Sequence, residues 1–382
     1  MPERFPVSRI ATPILCIVLA VTAIMLGSVA VQAGELRDLL WQTNADGDDI
    51  HIYDIETGER LRRLAVGANP HGIATTPQSD IVFVSLERNG QSSGELLWID
   101  KASFEITARL EVGPEPHAIA ITDDGRWVFV PCRDGHYWVV DTERREVVDR
   151  IRTGGRPHNT TVSPDGLVLL SPMGEPERAT LVDPRDGHKV VGEIPFSASL
   201  RPPAVAPSLG LLFQHVDGLN GFEVADISHR ENIARITHAT GLGVPIRPAS
   251  LGFLGFAGLS RCHGLAVRPG DEEVWSVCGA HATIHSTAAP GFPERATIDL
   301  PGKGYWLTFS PDGRHAFIAL SDRSEVAMVD ATSKDIIRIL KAGQRPKRNL
   351  VIPTDLAARQ ARSAASTDRR SFASIMMKHI DP

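Results

Sequence analysis

The sequence lacks several features that would assign it at once to a common class of protein. Its 382 residues carry a formal net charge of only −6 and a sequence pI of about 6.2, so no basic field favours nucleic acid as a partner. It has no phosphate-cradling glycine loop, no nucleophile elbow and no Cys-x-x-Cys-His haem attachment. Its four cysteines do not have the spacing of a zinc finger.

Only one long hydrophobic run is present, near the N-terminus. Residues 1–9, with more basic than acidic side chains, precede the apolar stretch Ile10–Ala30, and small residues occur at 31–34. This order predicts an export signal over residues 1–33, cleaved near Ala33, and hence a periplasmic or secreted protein without a transmembrane domain. An uncleaved anchor is the alternative, because about 20 apolar residues can span a bilayer.

The rest of the chain repeats one phrase about every 42 residues. The phrase alternates like a β-strand and, in its fullest form, ends in the turn Ser-Pro-Asp-Gly, at 163–166 and 310–313. A second apolar run, a third run that ends in Asp, and a fourth strand follow, which together are typical of a propeller blade. The phrases begin, in steps of 46, 41, 45, 60, 42 and 42 residues, at His71, His117, His158, Pro203, His263, Tyr305 and Lys347.

The two ends of the chain complete one blade between them. Leu39–Val66 supplies only a second, third and fourth strand, and Lys347–Ile352 supplies only a first strand. The sequence therefore predicts an all-β fold, a seven-bladed β-propeller with four antiparallel strands per blade over residues 34–353. Pairing of the N- and C-terminal strands closes the ring without an open edge. Residues 354–382 are then a flexible C-terminal tail.

The sequence motif of the repeat resembles that of the YVTN-type β-propeller family. The shared pattern is Gly-x-x-Pro-His, then Ser-Pro-Asp-Gly, then a Val/Ile-Asp turn, over about residues 39–353, with departures in the fourth and fifth blades. The resemblance implies a propeller related to cytochrome-type nitrite reductase and quinoprotein propellers. It makes a haem-type cofactor and redox-related binding reasonable expectations, but related propellers also include lyases and plain binding proteins.

The residue that opens each first strand is expected at the mouth of the central channel. Imidazole is the commonest metal ligand and titrates near neutral pH. Four imidazoles at one opening therefore predict a metal site. The alternative is that these rings simply pack and bond the backbone of a neighbouring blade. The predicted metal ligands are His71, His117, His158 and His263.

Other roles at the mouth follow from side-chain chemistry. His117, His263 and Tyr305 are the candidates for catalysis, because each can move a proton. Trp306 and Lys347 are the candidates for holding a ligand or cofactor.

The cysteines of the fifth blade predict a disulfide. Cys262 and Cys278 are equidistant from the turn centre near Gly270, so they face each other across an antiparallel pair. The alternative is a thiol pair beside His263 that binds a soft metal ion. Cys132 is left unpaired, as a small buried apolar residue or a minor ligand.

Three further features have a plain and a functional interpretation. The connection 237–261 is the longest between blades, and its Gly-rich stretch 249–258 is a lid, a partner contact or an insertion without a role. His281 and His285 lie four apart in a third strand, where we expect surface residues. The recurring Asp residues are expected to form turns rather than to bind calcium.

These expectations converge on the channel mouth as the functional region. The first hypothesis is an exported monomer that binds a small-molecule ligand, a metal ion or cofactor, or a protein partner there. The alternative is a metal-dependent lyase, hydrolase or redox enzyme at the same residues. A structural scaffold of the cell envelope is the second alternative, and the substrate is left open.

Overall fold

A computed structural model of the chain describes residues 36–239, 262–288 and 290–355. These residues form seven four-stranded antiparallel sheets arranged as the blades of a ring, which confirms the predicted seven-bladed β-propeller. The predicted signal 1–33, the stretch 249–258 and most of the C-terminal tail lie outside the described residues. Among the described residues, no helix is long and apolar enough to cross a membrane.

Strands are numbered in chain order, and each blade uses four of them, from the channel outward. Blades 1 to 3 comprise β4 (Pro70–Ala74), β5 (Ile81–Leu86), β6 (Gly94–Asp100) and β7 (Ile106–Val112); β8 (Ala120–Ile121), β9 (Trp127–Cys132), β10 (His136–Asp141) and β11 (Glu146–Ile151); and β12 (Arg156–Val162), β13 (Val168–Met173), β14 (Arg178–Asp183) and β15 (Lys189–Pro195). Blades 4 to 6 comprise β16 (Leu200–Ala206), β17 (Leu211–Val216), β18 (Gly221–Asp226) and β19 (Glu231–Thr237); β20 (Cys262–Val267), β21 (Glu273–Cys278), β22 (His281–Ser286) and β23 (Glu294–Asp299); and β24 (Gly304–Phe309), β25 (His315–Leu320), β26 (Glu325–Asp330) and β27 (Ile336–Lys341). Blade 7 joins both ends of the chain: β28 (Pro346–Asp355), β1 (Leu36–Asn44), β2 (Asp49–Asp54) and β3 (Arg60–Ala65).

The ring closes as the sequence predicts. β28 pairs antiparallel with β1, with Leu39 opposite Ile352 and Trp41 opposite Leu350. The first strand of blade 7 therefore comes from the C-terminus and the other three from the N-terminus. This pairing leaves neither terminal strand as an exposed edge.

Burial explains why the second strands are almost continuously apolar. β5 and β9 are buried at nearly every position, because both of their faces pack against neighbouring blades. In contrast, β7 on the rim alternates between half-buried and exposed residues. The core joins adjacent blades, as where Trp41 of blade 7 packs with Val84 and Leu97 of blade 1.

The Asp residues that end the third strands form turns, as predicted. Oδ1 of Asp54 accepts hydrogen bonds from the backbone N–H groups of Glu56 and Thr57, both at 3.0 Å. Asp330 makes the equivalent bonds to the backbone of Thr332 and Ser333, both at 2.8 Å. Each carboxylate thus replaces backbone partners within the turn. These turns lie at the opposite ends of the strands from the channel mouth.

Candidate functional site

Strand register decides which residue of each blade lies at the channel mouth. Pro203 was expected there, and this is wrong. In blade 3, Thr160 pairs with Leu170, which pairs with Thr180, three residues before the Asp that ends the third strand. In blade 4, Pro203 is linked in the same way, through Gln214, to Glu223, three residues before Asp226. Pro203 therefore takes the strand position of Thr160, two residues beyond His158. The residue equivalent to His158 is therefore Arg201. The seven mouth positions are His71, His117, His158, Arg201, His263, Tyr305 and Lys347.

The aromatic side chains at these positions contact one another from blade to blade. The ring centroids of His71 and His117 are 3.8 Å apart, and those of His117 and His158 are also 3.8 Å apart. On the other side of the channel, His263 stacks on Tyr305 with centroids 3.9 Å apart. Nε2 of His71 lies 3.3 Å from the Tyr305 hydroxyl, which joins the two stacks. The seven mouth residues, with the adjacent Glu87 and Arg348, are called the mouth cluster below.

Close packing at the mouth requires a glycine directly after one of the histidines. A Cβ at Gly72 would collide with the carbonyl oxygen of His117 and crowd Oγ of Ser85. The bare backbone lets the first strand of blade 1 approach that of blade 2. Ser85 uses the same space, since its hydroxyl donates to the His117 carbonyl at 2.6 Å.

The four imidazoles are held in their neutral form. Burial lowers the pKa values of His71, His117, His158 and His263 well below the ordinary value, and neighbouring imidazoles and cationic side chains lower them further. Neutral imidazole is the form that binds a metal ion. The rings are therefore available as ligands at neutral pH.

His117 presents one nitrogen to a buried carboxyl group. Its Nδ1 donates to the carbonyl oxygen of His158 at 2.9 Å, so Nε2 carries the lone pair. Nε2 lies 3.6 Å from Oε1 of Glu87. Burial raises the pKa of Glu87 to about 7. His117 thus forms a hydrogen bond with the backbone of the next blade, as the packing alternative proposed. It also keeps the lone pair of Nε2 available to a metal ion.

A potential metal-binding group forms around this contact. Ligand atoms of His71, Glu87 and His117 all lie within 4.8 Å of one another. Nδ1 of His71 is buried and has no hydrogen-bond partner among the described residues. A buried polar atom without a partner is costly unless something binds it.

Two buried cations border the imidazoles. Lys347 and Arg348 are each 8% exposed, and neither forms a salt bridge within the described part of the chain. The ammonium of Lys347 donates to the Tyr305 hydroxyl at 3.0 Å. The guanidinium of Arg348 lies 3.5 Å above the ring centroid of Trp306 and donates to Oδ1 of Asn159 at 2.7 Å. Burial lowers the pKa of Arg348 to about 10.

Apart from Pro203, the structure brings the residues that the sequence singled out at the mouth into one connected set of contacts, and it adds others. Of the four predicted metal ligands, His71 and His117 belong to one compact ligand group, with Glu87. Arg201 was hidden by the irregular fourth blade, and Glu87 follows β5 in a loop without a repeat signal. The sequence could have indicated Arg348 and Asn159 as site residues, because each directly follows a mouth position. Arg201 is paired, with Nε 2.5 Å from Oδ1 of Asp217.

The predicted disulfide between Cys262 and Cys278 is confirmed. The two residues are opposite each other in the β20–β21 pair. Cys132 is buried and forms no disulfide.

The surface placement predicted for His285 is wrong. His281 is partly exposed and pairs with Asp299 at 2.9 Å, but His285 is only 2% exposed. His285 pairs with Val274 across the sheet, and this face of blade 5 packs against Phe222 of blade 4.

Comparison with known proteins supports the fold and finds one family match over part of the chain. The family described as Cytochrome D1 heme domain matches residues 78–199, which include Glu87, His117 and His158. No curated protein matches the chain.

Several solved structures share the propeller. Hydrazine synthase of Kuenenia stuttgartiensis is 16% identical, with a TM-score of 0.61 over 75% of this chain and 96% of that one. Dihydro-heme d1 dehydrogenase NirN in complex with DHE is 14% identical, with a TM-score of 0.58 over 84% and 76%. Periplasmic gluconolactonase PpgL of Pseudomonas aeruginosa is 16% identical, with a TM-score of 0.65 over 83% and 99%. At these identities the likeness shows the fold alone.

Proposed function

We propose that this chain is an exported β-propeller that binds an anionic, haem-type ligand at the mouth cluster. The observation that carries the proposal is the placement of neutral imidazoles beside two buried cations, Lys347 and Arg348, that form no salt bridge within the described residues. A buried cation without a counter-charge is costly. A ligand that carries carboxylates would supply that charge.

The donor set suits a haem-type group. Neutral imidazole is a common axial ligand of haem iron, and His117 presents the lone pair of Nε2. Lys347 and Arg348 would hold carboxylates through charge-assisted hydrogen bonds. When bound, such a group would supply the redox chemistry of its iron. The residues of this chain would orient it and keep a proton at Glu87.

The comparisons support this class of ligand. The Cytochrome D1 heme domain match covers the segment that supplies Glu87, His117 and His158, and NirN was solved with DHE bound. The narrower relation to YVTN-type repeats stays a prediction. Export rests on the predicted signal over residues 1–33, and the Cys262–Cys278 disulfide agrees with an oxidising compartment.

Titration with haem tests the proposal. The purified protein is titrated with ferric haem while the absorbance of the haem is followed, and metal-free protoporphyrin is titrated in parallel. We expect saturation at one equivalent. His117→Ala should lose the spectral change that marks imidazole ligation, and Arg348→Met should bind at least about tenfold more weakly, as expected for a lost charge-assisted bond.

Arg314→Met is the matched control for the cation. The Arg314 side chain is 74% exposed and pairs with Asp312 at the turn face, so its loss should leave haem affinity unchanged. The proposal is rejected if haem does not bind at a defined stoichiometry. It is also rejected if His117→Ala and Arg348→Met both bind as the unaltered protein does.

Hydrolysis at the same cluster is the second candidate. The pKa of Glu87 is raised to about 7, and Glu87 lies beside His117. A carboxyl group that titrates near neutral pH suits a general base, and the gluconolactonase PpgL shares the fold. The test is acid release from gluconolactone. A rate above buffer that Glu87→Gln abolishes supports hydrolysis, and a rate equal to buffer excludes it for this substrate.

A further inference from the structure

A second group of imidazoles lies between blades 4 and 5, outside the mouth cluster. His238 directly follows β19, His285 belongs to β22, and Glu294 begins β23. His238 and His285 are 1% and 2% exposed. Ligand atoms of the three residues all lie within 4.8 Å of one another.

The two imidazoles face each other through single nitrogen atoms. Nδ1 of His238 lies 3.0 Å from Nε2 of His285. The other nitrogen of His285, Nδ1, lies 2.7 Å from the carbonyl oxygen of Phe292 and must therefore donate to it. Nε2 of His285 consequently carries a lone pair that points at His238.

The far nitrogen of His238 is also held by a hydrogen bond. Nε2 of His238 lies 2.8 Å from Oγ of Ser276, which in turn lies 2.8 Å from Nε2 of His215. A hydroxyl can both accept and donate. His238 can therefore donate to Ser276 while Ser276 donates to His215, and Nδ1 of His238 then carries a lone pair as well.

Two facing lone pairs need a positive centre between them. In the other tautomer of His238, its Nδ1 proton occupies this place as an ordinary hydrogen bond to His285. With both lone pairs free, a metal ion can occupy it, and Glu294 adds a carboxylate. Metal-binding histidines usually donate their other N–H to a carbonyl or polar side chain, which fixes the tautomer and the ring orientation. Phe292 and Ser276 provide these outer partners here.

We propose that His238, His285 and Glu294 bind one divalent metal ion of the zinc class. Two imidazoles and one carboxylate are donors that zinc accepts in tetrahedral sites, with one position left for water. The imidazoles come from two blades, so the ion joins the end of the last strand of blade 4 to blade 5. This is where the longest connection between blades, 237–261, departs. The ion therefore stabilises the fold.

The neighbouring cysteines do not compete for this role in the oxidised protein. His215, Cys262 and Cys278 also place ligand atoms within 4.8 Å of one another. The two sulfur atoms are joined in a disulfide, and a disulfide offers no thiolate to a metal ion. The proposed site needs no reduction.

Zinc binding to the full chain tests the proposal. The purified protein is stripped with a chelator and dialysed against Zn²⁺, and bound zinc is measured together with the melting temperature. We expect His285→Gln to bind one equivalent less than the unaltered protein. Glu294→Gln, at a half-buried carboxylate, should remain folded and bind zinc about tenfold or more weakly.

Two control variants test whether the zinc equivalent lost in His285→Gln belongs to the proposed site. His281→Gln, on the same strand but partly exposed, should keep full zinc binding and the rise in melting temperature on zinc addition. His117→Ala removes a donor of the mouth cluster and should keep the equivalent that His285→Gln loses. An anomalous diffraction peak at the zinc edge between His238 and His285 would locate the ion.

The result that overturns the proposal is equally direct. The site does not exist if the unaltered protein binds no zinc at a defined stoichiometry. It does not exist either if Glu294→Gln and His285→Gln, folded by circular dichroism, bind as much zinc as His281→Gln. Haem binding at the mouth plays no part in these outcomes, so either proposal can fail alone.

Discussion

Oε1 of Glu87 lies 3.6 Å from Nε2 of His117 in the interior of the channel mouth. Burial raises the pKa of Glu87 to about 7, from an ordinary value of 4.5. The folded state therefore keeps a proton that the unfolded chain releases between about pH 4.5 and 7. This carboxyl group costs stability as the pH rises through that window, because its charged form is poorly solvated.

Glu87→Gln should remove this cost. Relative to the unaltered protein, the variant should gain up to about 3 kcal/mol in free energy of unfolding between pH 5 and pH 8, at about 1.4 kcal/mol per unit of pKa shift. Urea denaturation at a series of pH values measures the difference. Glu143→Gln, at an exposed turn, is the matched control. A difference that does not change with pH would mean that Glu87 is charged throughout.

The mouth histidines predict the opposite trend at lower pH. Burial holds the pKa values of His71 and His263 well below 6.5, so the unfolded chain binds protons that the folded state does not. Their contribution to stability is complete above about pH 6.5 and is lost as the pH falls, at up to about 1.4 kcal/mol per pH unit for each ring.

His263→Gln should therefore reduce the pH dependence of unfolding by one proton between pH 6.5 and pH 4.5. His229→Gln is the control, since the exposed His229 has its pKa raised by Asp226 and its loss should not reduce that dependence. Denaturation curves across this range measure the proton count. An unchanged slope in His263→Gln would show that the ring is charged in the folded protein.

The fold was predictable from the sequence because the same local chemistry is repeated in every blade. Turn-forming Asp residues such as Asp54 end the third strands, and the first strands alternate in period two. Ring closure was predictable because the terminal segments supply complementary parts of one blade. These are short-range signals, and they recur often enough to fix the architecture.

The candidate site was only partly predictable, because its remaining members depend on register and on contacts between blades. Arg201 was missed because an irregular blade shifts the phrase by two residues. Glu87 reaches His117 from a different blade, which no local pattern encodes. His285 was placed on the surface because a lone third-strand position does not reveal that Phe222 of the preceding blade covers it.

The Tyr305 hydroxyl links the two sides of the channel, and its removal tests that link. It accepts a hydrogen bond from Lys347 at 3.0 Å and lies 3.3 Å from Nε2 of His71. Tyr305→Phe leaves a buried ammonium without this acceptor, so we expect a loss of about 1–3 kcal/mol in free energy of unfolding.

Tyr137→Phe is the matched control for Tyr305→Phe. The buried Tyr137 hydroxyl accepts a single 3.4 Å bond from the backbone N–H of His158, so its loss should cost at most about 1 kcal/mol. Urea denaturation compares the two variants. Equal losses would mean that the link between Tyr305 and Lys347 adds nothing beyond an ordinary buried hydroxyl.

The disulfide in blade 5 gives a prediction that also separates it from the neighbouring histidines. It closes a loop with a sequence separation of 16, for which the chain-entropy account gives about 3 kcal/mol of stabilisation. The double variant Cys262→Ala, Cys278→Ala should lose about that much in urea denaturation. Dithiothreitol should destabilise the unaltered protein similarly and leave the variant unchanged. Zinc binding should survive in the variant, because the proposed ligands His238, His285 and Glu294 do not include sulfur. If the double variant no longer binds zinc, the ion instead lies at His215 and the thiols of the two cysteines.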